Sequence, residues 1–439
     1  MYIYMYVRYD RNFRNEVNLM ESNKILGTDA AKYTVVIPKD AKQSEYRLAV
    51  NVAAILGIEA PVVTCEEKPE LEILVGNTCR TKTAVGKFEF AVAVVGKKVE
   101  IVGGSCFALE YAYRYCRANL AQLLADAPAK SAELHREDIS ADLRAKADTS
   151  ILGRAGEIRL LYHNVWGWAN GPASLGWEPG NNACADQRSR ILAEGYAELA
   201  PDVICLQEYT NFMMRTCEDN VISLMEKEGY AEVVVPPCSK VDTATPIIYN
   251  TKTVKLIDSG VHRFTFGGGM DKFITWGVFE TLNRPRKFGV ISGHLAYQGG
   301  DMGQTYRMAQ VPLMIDRAEK IKDTYKCHVF FGGDMNCVGF SAPYRLFTTM
   351  GAIDTWSLCE STEDKGSCSD SYPAFDQKTR LVCREYNPVA GGTYMTGAID
   401  HIFYIQRGEK PSFRKFDIIH ENYLCTASDH CPVVLDMDF

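Results

Sequence analysis

Hydrophobic positions follow two different periods along this chain, and the change between them divides it. In the first third, residues 33–38 (YTVVIP) read as a strand, and 41–58 (AKQSEYRLAVNVAAILGI) carry apolar residues at helical spacing up to a helix-ending Gly57. PVVTC and LEILVGNT read as strands. FEFAVAVVGKKVEIVGG reads as a hairpin, two alternating segments joined at GKK. Residues 105–125 (SCFALEYAYRYCRANLAQLLA) read as a helix with Ser105 as N-cap. These elements predict a small α/β unit over 21–130. The polar, Ala- and Asp-rich stretch 131–152 reads as a connection, and 153–439 as a second, larger domain.

From residue 157 the pattern changes to apolar strands that stop at polar residues. IRLLYHNVWGW runs into Asn164, and PDVICLQEY ends at Glu208. KFGVISGHLAY ends at His294, and CHVFFGGDMNC ends at Asp334 and Asn336. GAIDHIFY carries Asp400, and CTASDHCPVVLDM places Asp429 and His430 just before a closing strand. Asp202 in PDVICLQE reads as a structural turn cap. His163 and His401, next to Asn164 and Asp400, alternate to the opposite faces of their strands. Polar residues repeated at the strand ends of an α/β layer predict one shared site at a sheet edge.

Those residue types suit one chemistry. Glu208 and Asp429 are hard oxygen ligands, and with Asn164 as a neutral oxygen donor they fit Mg²⁺ or Mn²⁺. Asp400 can bond one nitrogen of His430 and leave the other for substrate. Asp334 and Asn336 suit the positioning of a water and a phosphoryl oxygen. A metal, a placed water and donors around an anion are what phosphoryl transfer to water requires.

Composition narrows the function classes. With 46% hydrophobic and 23% charged residues in 439, the chain reads as a soluble globular protein of more than one domain. No apolar run reaches the roughly 20 residues of a membrane helix. The N-terminal MYIYMYVRYDRNFRNE lacks the continuous apolar stretch of a signal peptide. The expected location is therefore cytoplasmic, with export by a signal absent from this sequence as the alternative. The 15 Cys form no C-x-x-C pair and read as reduced, buried thiols. Residues 1–150 hold 20 basic and 20 acidic side chains, so the net charge of −7 arises entirely after residue 150. That is opposite to the basic face that grips long nucleic acid.

In family order, NVW, LQE, GHL, GDMN, IDHIF and SDH resemble the motifs of the endonuclease/exonuclease/phosphatase superfamily, whose members include deoxyribonucleases, sphingomyelinases and inositol-polyphosphate phosphatases. The resemblance implies a four-layer α/β sandwich with two packed mixed β-sheets. It implies a metal-dependent phosphoesterase with Glu208 as main ligand, either Asp334 or the Asp400–His430 pair activating water, and His294 contacting the phosphate. The first unit (LEILVGNTCRT, VEIVGGSCFALEYAYRYC) is similar to the α/β accessory domain of some glycoside hydrolases such as hexosaminidases, and no site is carried over from it.

Substrate identity is less legible. WGWANGPASLGWEPGNN (166–182) holds three Trp beside the first motif, so Trp166 and Trp168 are candidate stacking surfaces for a base, sugar or headgroup, with Tyr249 as a further contact. Lys272 and Trp276 resemble supporting positions of the family. The expected substrate is a small or headgroup-type phosphoester, hydrolysed as a monoester or a diester. A Mg²⁺-dependent nuclease is the alternative, and a non-catalytic phospho-ligand binding module the third reading.

Overall fold

A computed structural model describes residues 24–128, 130–141, 153–167, 185–209, 218–235, 244–264, 272–368, 392–420 and 422–439. The chain forms two compact units, 1–139 and 140–439.

Among its described residues, the first unit has a six-stranded sheet ordered Val63–Thr64, Thr34–Ile37, Glu72–Val75, Lys98–Gly103, Glu89–Val95, Ala132–Asp138. The first four strands run parallel, and the last two add antiparallel. Helix Gln43–Leu56 ends at Gly57 in the left-handed conformation (φ 68°), and helix Cys106–Ala125 starts at Ser105, whose hydroxyl accepts from the Ala108 amide. The connector expected over 131–152 begins further along, because Ala132–Asp138 alternates half-buried and exposed residues and pairs with the hairpin strand Glu89–Val95. Its polar composition is that of a sheet-edge strand with one wet face.

The second unit has the two packed mixed sheets expected of it. Among the described residues, one sheet has seven strands, with Ile158–Asn164 at its centre between Val203–Gln207 and Val433–Asp438. The other has six, ordered Val254–Phe264, Lys272–Thr281, Lys287–His294, His328–Asp334, Asp400–Ile405, Ile353–Asp354. Leu160, Tyr162 and Cys205 from the first sheet meet Phe279, Val290, Phe330 and Tyr404 from the second in one apolar layer. On the outer face of the second sheet, Ile291, Phe331 and Phe403 pack against helices Gly300–Tyr325 and Ala342–Thr349. Helix Ala185–Leu199 covers the first sheet, where the Tyr196 hydroxyl lies 2.6 Å from His163 Nδ1. Four layers result. The central strands are covered on both faces, so they read in sequence as unbroken apolar runs.

Two buried polar contacts fix the central strand at its ends. Arg159, at its start, makes a bidentate pair with Asp436 on the adjacent strand, both bonds 2.7 Å, with Asp436 fully buried. His163, near its end, bonds Tyr196 on one side and the His430 carbonyl, 3.0 Å away, on the other. Burial pushes His163 down to about 3 from its usual 6.5.

Asp436→Ala should therefore cost on the order of 3–5 kcal/mol, since it strands a buried guanidinium; a left-shifted urea midpoint in this variant is the expected readout. His163 supplies a pH-dependent term. Its folded-state pKa is depressed, so below about 6.5 the unfolded chain binds a proton that the folded chain refuses, and stability falls as pH drops from 6.5 towards 3. The slope is about 1.4 kcal/mol per pH unit for one such group. Urea midpoints at pH 7.5 and 4.5 should show His163→Gln losing less on acidification than the parent.

Candidate active site

Strand direction assembles the site. Ile158–Asn164 and Val203–Gln207 run parallel and in register, with Gln207 opposite Asn164, so Asn164 and Glu208 emerge together at one edge. Lys287–His294 and His328–Asp334 are likewise parallel, with His294 opposite Asp334. Asp400–Ile405 and Lys272–Thr281 run antiparallel to these, so their first residues, Asp400 and Lys272, reach the same edge. Val433–Asp438 is antiparallel to the central strand, which brings the preceding Asp429 and His430 there too.

Glu208 sits just past its strand at φ 56°, a left-handed conformation that a non-glycine residue adopts rarely and that turns its carboxylate inward. Its Oε2 accepts from the Gly167 amide at 3.0 Å, and its Oε1 from Asn164 Nδ2 at 3.2 Å. Gly167 must be glycine, because a Cβ there would collide with the Glu208 carbonyl. Asn164 Nδ2 also donates to Asp334 Oδ2 at 2.9 Å, while its Oδ1 accepts from the Trp166 amide. Asn164 thus bridges two carboxylates through its amide nitrogen, while its Oδ1 faces the Trp166 amide.

Glu208, His294 and Asp334 each place a ligand atom within 4.8 Å of the others, a grouping able to hold a metal ion. His294 Nε2 lies 3.4 Å from Asp334 Oδ2 and 3.8 Å from Glu208 Oε1. Burial, then the nearby Lys272 ammonium and His430, hold His294 well below its usual pKa. Asp429 stands beside this group. Its Oδ1 is buried without a hydrogen-bond partner, and burial followed by the Glu208 charge pushes it up to about 6 against the opposing pull of His430. An orphaned carboxylate oxygen next to a second carboxylate suits a cation ligand.

Asp334 is buried and pushed up to about 7, by burial first, with the Asp400 and Glu208 charges adding and His430 opposing. Its Oδ1 accepts from the Asn336 amide at 2.9 Å. Asn336, at φ 50°, donates its side-chain amide to the Leu295 carbonyl at 3.2 Å, which ties two loops of the edge together. His430 Nδ1 lies 2.9 Å from Asp400 Oδ2, leaving Nε2 directed towards Asp334 Oδ2 at 3.9 Å. Burial disfavours a charge on His430, yet Asp400, through charge and hydrogen bond, with Asp429 and Asp334, outweighs it and raises its pKa well above the usual value.

Several supporting residues were not singled out in the sequence. Ser367 donates to Asp400 Oδ2 at 2.6 Å and accepts from the Asp400 amide at 3.0 Å. Ser428 donates to the Asn164 carbonyl and accepts from the His430 amide, joining first and last motifs. Arg188, fully buried, donates to the carbonyls of Val165, Trp166 and Ala427. Ser428 stands in the SDH motif beside Asp429 and His430, without a role read for it, whereas Ser367 and Arg188 lie in polar or helical stretches with no local signal.

Two expected substrate contacts are placed elsewhere. Trp166 is 3% exposed, with the Arg188 guanidinium 4.9 Å from its ring centroid, so it roofs the interior. Tyr249 pairs with Val203, five positions before Glu208, or about 16 Å from the site edge at ~3.3 Å per residue. Its ring packs on Phe279 in the core between the sheets. Trp168 lies outside the described residues. Lys272 does reach the site: its ammonium is 3.1 Å from His294 Nδ1, and burial lowers its pKa against the pull of Glu208 and Asp334.

No protein-family model matches the chain, and no curated protein does. Solved structures do. A mannosyl-6-phosphatase from Bacteroides thetaiotaomicron is 16% identical, with 64% of this chain and 100% of that chain covered at a TM-score of 0.48. An endonuclease/exonuclease/phosphatase family protein from the same organism is 16% identical, covering 64% and 97% at 0.47. The human Nocturnin catalytic domain is 19% identical, covering 65% and 95% at 0.45. Over roughly two-thirds of its length the chain is thus similar to structures that include proteins of the endonuclease/exonuclease/phosphatase family.

Proposed function

We propose that this chain is a divalent-metal-dependent phosphoester hydrolase, with its catalytic domain over 153–439 and Mg²⁺ or Mn²⁺ as the ion. One observation carries the reading: Glu208, Asp334 and His294 converge beside an Asp400–His430 pair at a single sheet edge. Glu208 and Asp429 would hold the metal; they offer hard carboxylate oxygens, and Asp429 Oδ1 has no other partner. When bound, the ion supplies Lewis-acid polarisation of a phosphoryl oxygen and offsets developing charge.

The chain's own residues divide the remaining work. Of the two candidate bases, the geometry favours Asp334. Burial brings its pKa to about 7, near the working pH of a general base, while Asn164 and the Asn336 amide hold its carboxylate in place. His430, kept protonated by Asp400, then serves as a cationic donor to a phosphoryl oxygen. Ser367 fixes Asp400, and Ser428 fixes the His430 backbone, so both act by positioning.

Hydrolysis of 4-nitrophenyl phosphate and of bis(4-nitrophenyl) phosphate, with Mg²⁺, Mn²⁺ or chelator, tests the reading. Turnover of at least one ester should depend on the metal and vanish with EDTA. Glu208→Ala should abolish it with an unchanged melting temperature, because one carboxylate at the site edge contributes little to this core; wild-type turnover in that variant overturns the metal assignment. His430→Ala should lower kcat by on the order of 10²–10³ and change KM much less. A loss confined to KM would remove His430 from the chemical step.

A further inference from the structure

Lys272 has no role in the mechanism above, and its surroundings are unusual for a cation. It opens the strand Lys272–Thr281, and its Nζ lies 3.1 Å from His294 Nδ1 and 3.3 Å from His294 Nε2. On its other side the Tyr297 ring centroid is 5.9 Å away, and Tyr297 is 51% exposed. Among the described residues no carboxylate makes an ion pair with this ammonium; it lies against the His294 imidazole and the Tyr297 ring. An ammonium carries three N–H donors. An imidazole offers at most one lone pair and the tyrosine ring a π face, so donors remain without an oxygen acceptor. Yet the cation lies beside Glu208 and Asp334, whose charges reach it without touching it.

A cation left short of acceptors, one residue away from the reacting centre, is a receptor for an anion's oxygens. We propose that Lys272 binds a terminal oxygen of the phosphate and selects phosphate monoesters over diesters. The proposal rests on the hydrolase reading and deepens it. The selectivity follows from charge: a monoester is largely dianionic at neutral pH, with a second pKa of about 6, whereas a diester bears a single charge and one fewer terminal oxygen. His430, with Glu208 and Asp429 as the residues that would hold a metal, would already serve a diester. A further ammonium gains its full value only where a third unsubstituted oxygen is present. The half-exposed Tyr297 ring beside it leaves room for a polar leaving group such as a sugar or alcohol, and supplies one flat face.

The test compares the full-length parent, Lys272→Gln and Lys272→Arg on 4-nitrophenyl phosphate and bis(4-nitrophenyl) phosphate with saturating Mg²⁺, alongside inorganic phosphate binding by calorimetry. Lys272→Gln should lose roughly ten- to hundred-fold in kcat/KM on the monoester, the range of a charge-assisted hydrogen bond, and less than about threefold on the diester. Lys272→Arg should recover most of the monoester rate, and inorganic phosphate should bind the parent and not Lys272→Gln. Equal losses on both esters, or unchanged phosphate binding in Lys272→Gln, would overturn the proposal. If the parent hydrolyses neither ester, the hydrolase reading fails separately: phosphate binding lost in Lys272→Gln would still support the anion receptor, and a parent that binds no phosphate would sink it.

Discussion

Burying like charges together is the constraint on which the second unit depends. Glu208, Asp334, Asp400 and Asp429 share one edge of two stacked sheets, where desolvation raises the cost of each charge and mutual repulsion adds to it. The fold offsets this with donors held in fixed positions. Asn164 spans Glu208 and Asp334, the Gly167 amide holds the second oxygen of Glu208, and His430 answers Asp400. Asp334 and Asp429 stay only partly compensated, and burial pushes both above ordinary carboxylate behaviour. A site in that condition is poised for a cation and for a proton to move.

Such an arrangement needs a rigid base. The sheets supply it through register, since each contributing strand is locked to its neighbour by a ladder with both faces packed. A second layer of bonds fixes the loops above the strands. Ser428 joins the first motif to the last, Arg188 gathers three carbonyls of the adjoining turns, and His163 ties the His430 backbone to a helix. The left-handed backbones at Glu208 and Asn336 stand among these restraints, which is where strained conformations persist.

Aromatic residues illustrate how far local sequence can mislead. A Trp-rich loop next to a polar strand end reads as a stacking surface, yet Trp166 is buried with the Arg188 guanidinium against its ring. Tyr249 follows the alternation of its strand into the core between the sheets. Tyr297, which drew no attention in a polar turn, is the aromatic that stands half-exposed beside Lys272.

The sequence by itself determined the layered α/β class of the second unit and the polar residues that close its strands. Apolar runs that stop at Asn164, Glu208, His294 and Asp334 record that both faces of those strands are covered and that their ends turn polar. Tertiary structure alone decided which partners each residue meets there. Whether Asn164 presents its oxygen or its amide depends on a turn amide that competes for the oxygen. Which of Asp334 and His430 carries the proton depends on burial and on charges brought from strands far apart in the chain. Ser367 and Lys272 gain their partners only through long-range pairing, and no spacing rule reports that. Strand ends are written locally in composition, whereas hydrogen-bond competition and electrostatic coupling depend on distances that exist only after the two sheets have packed.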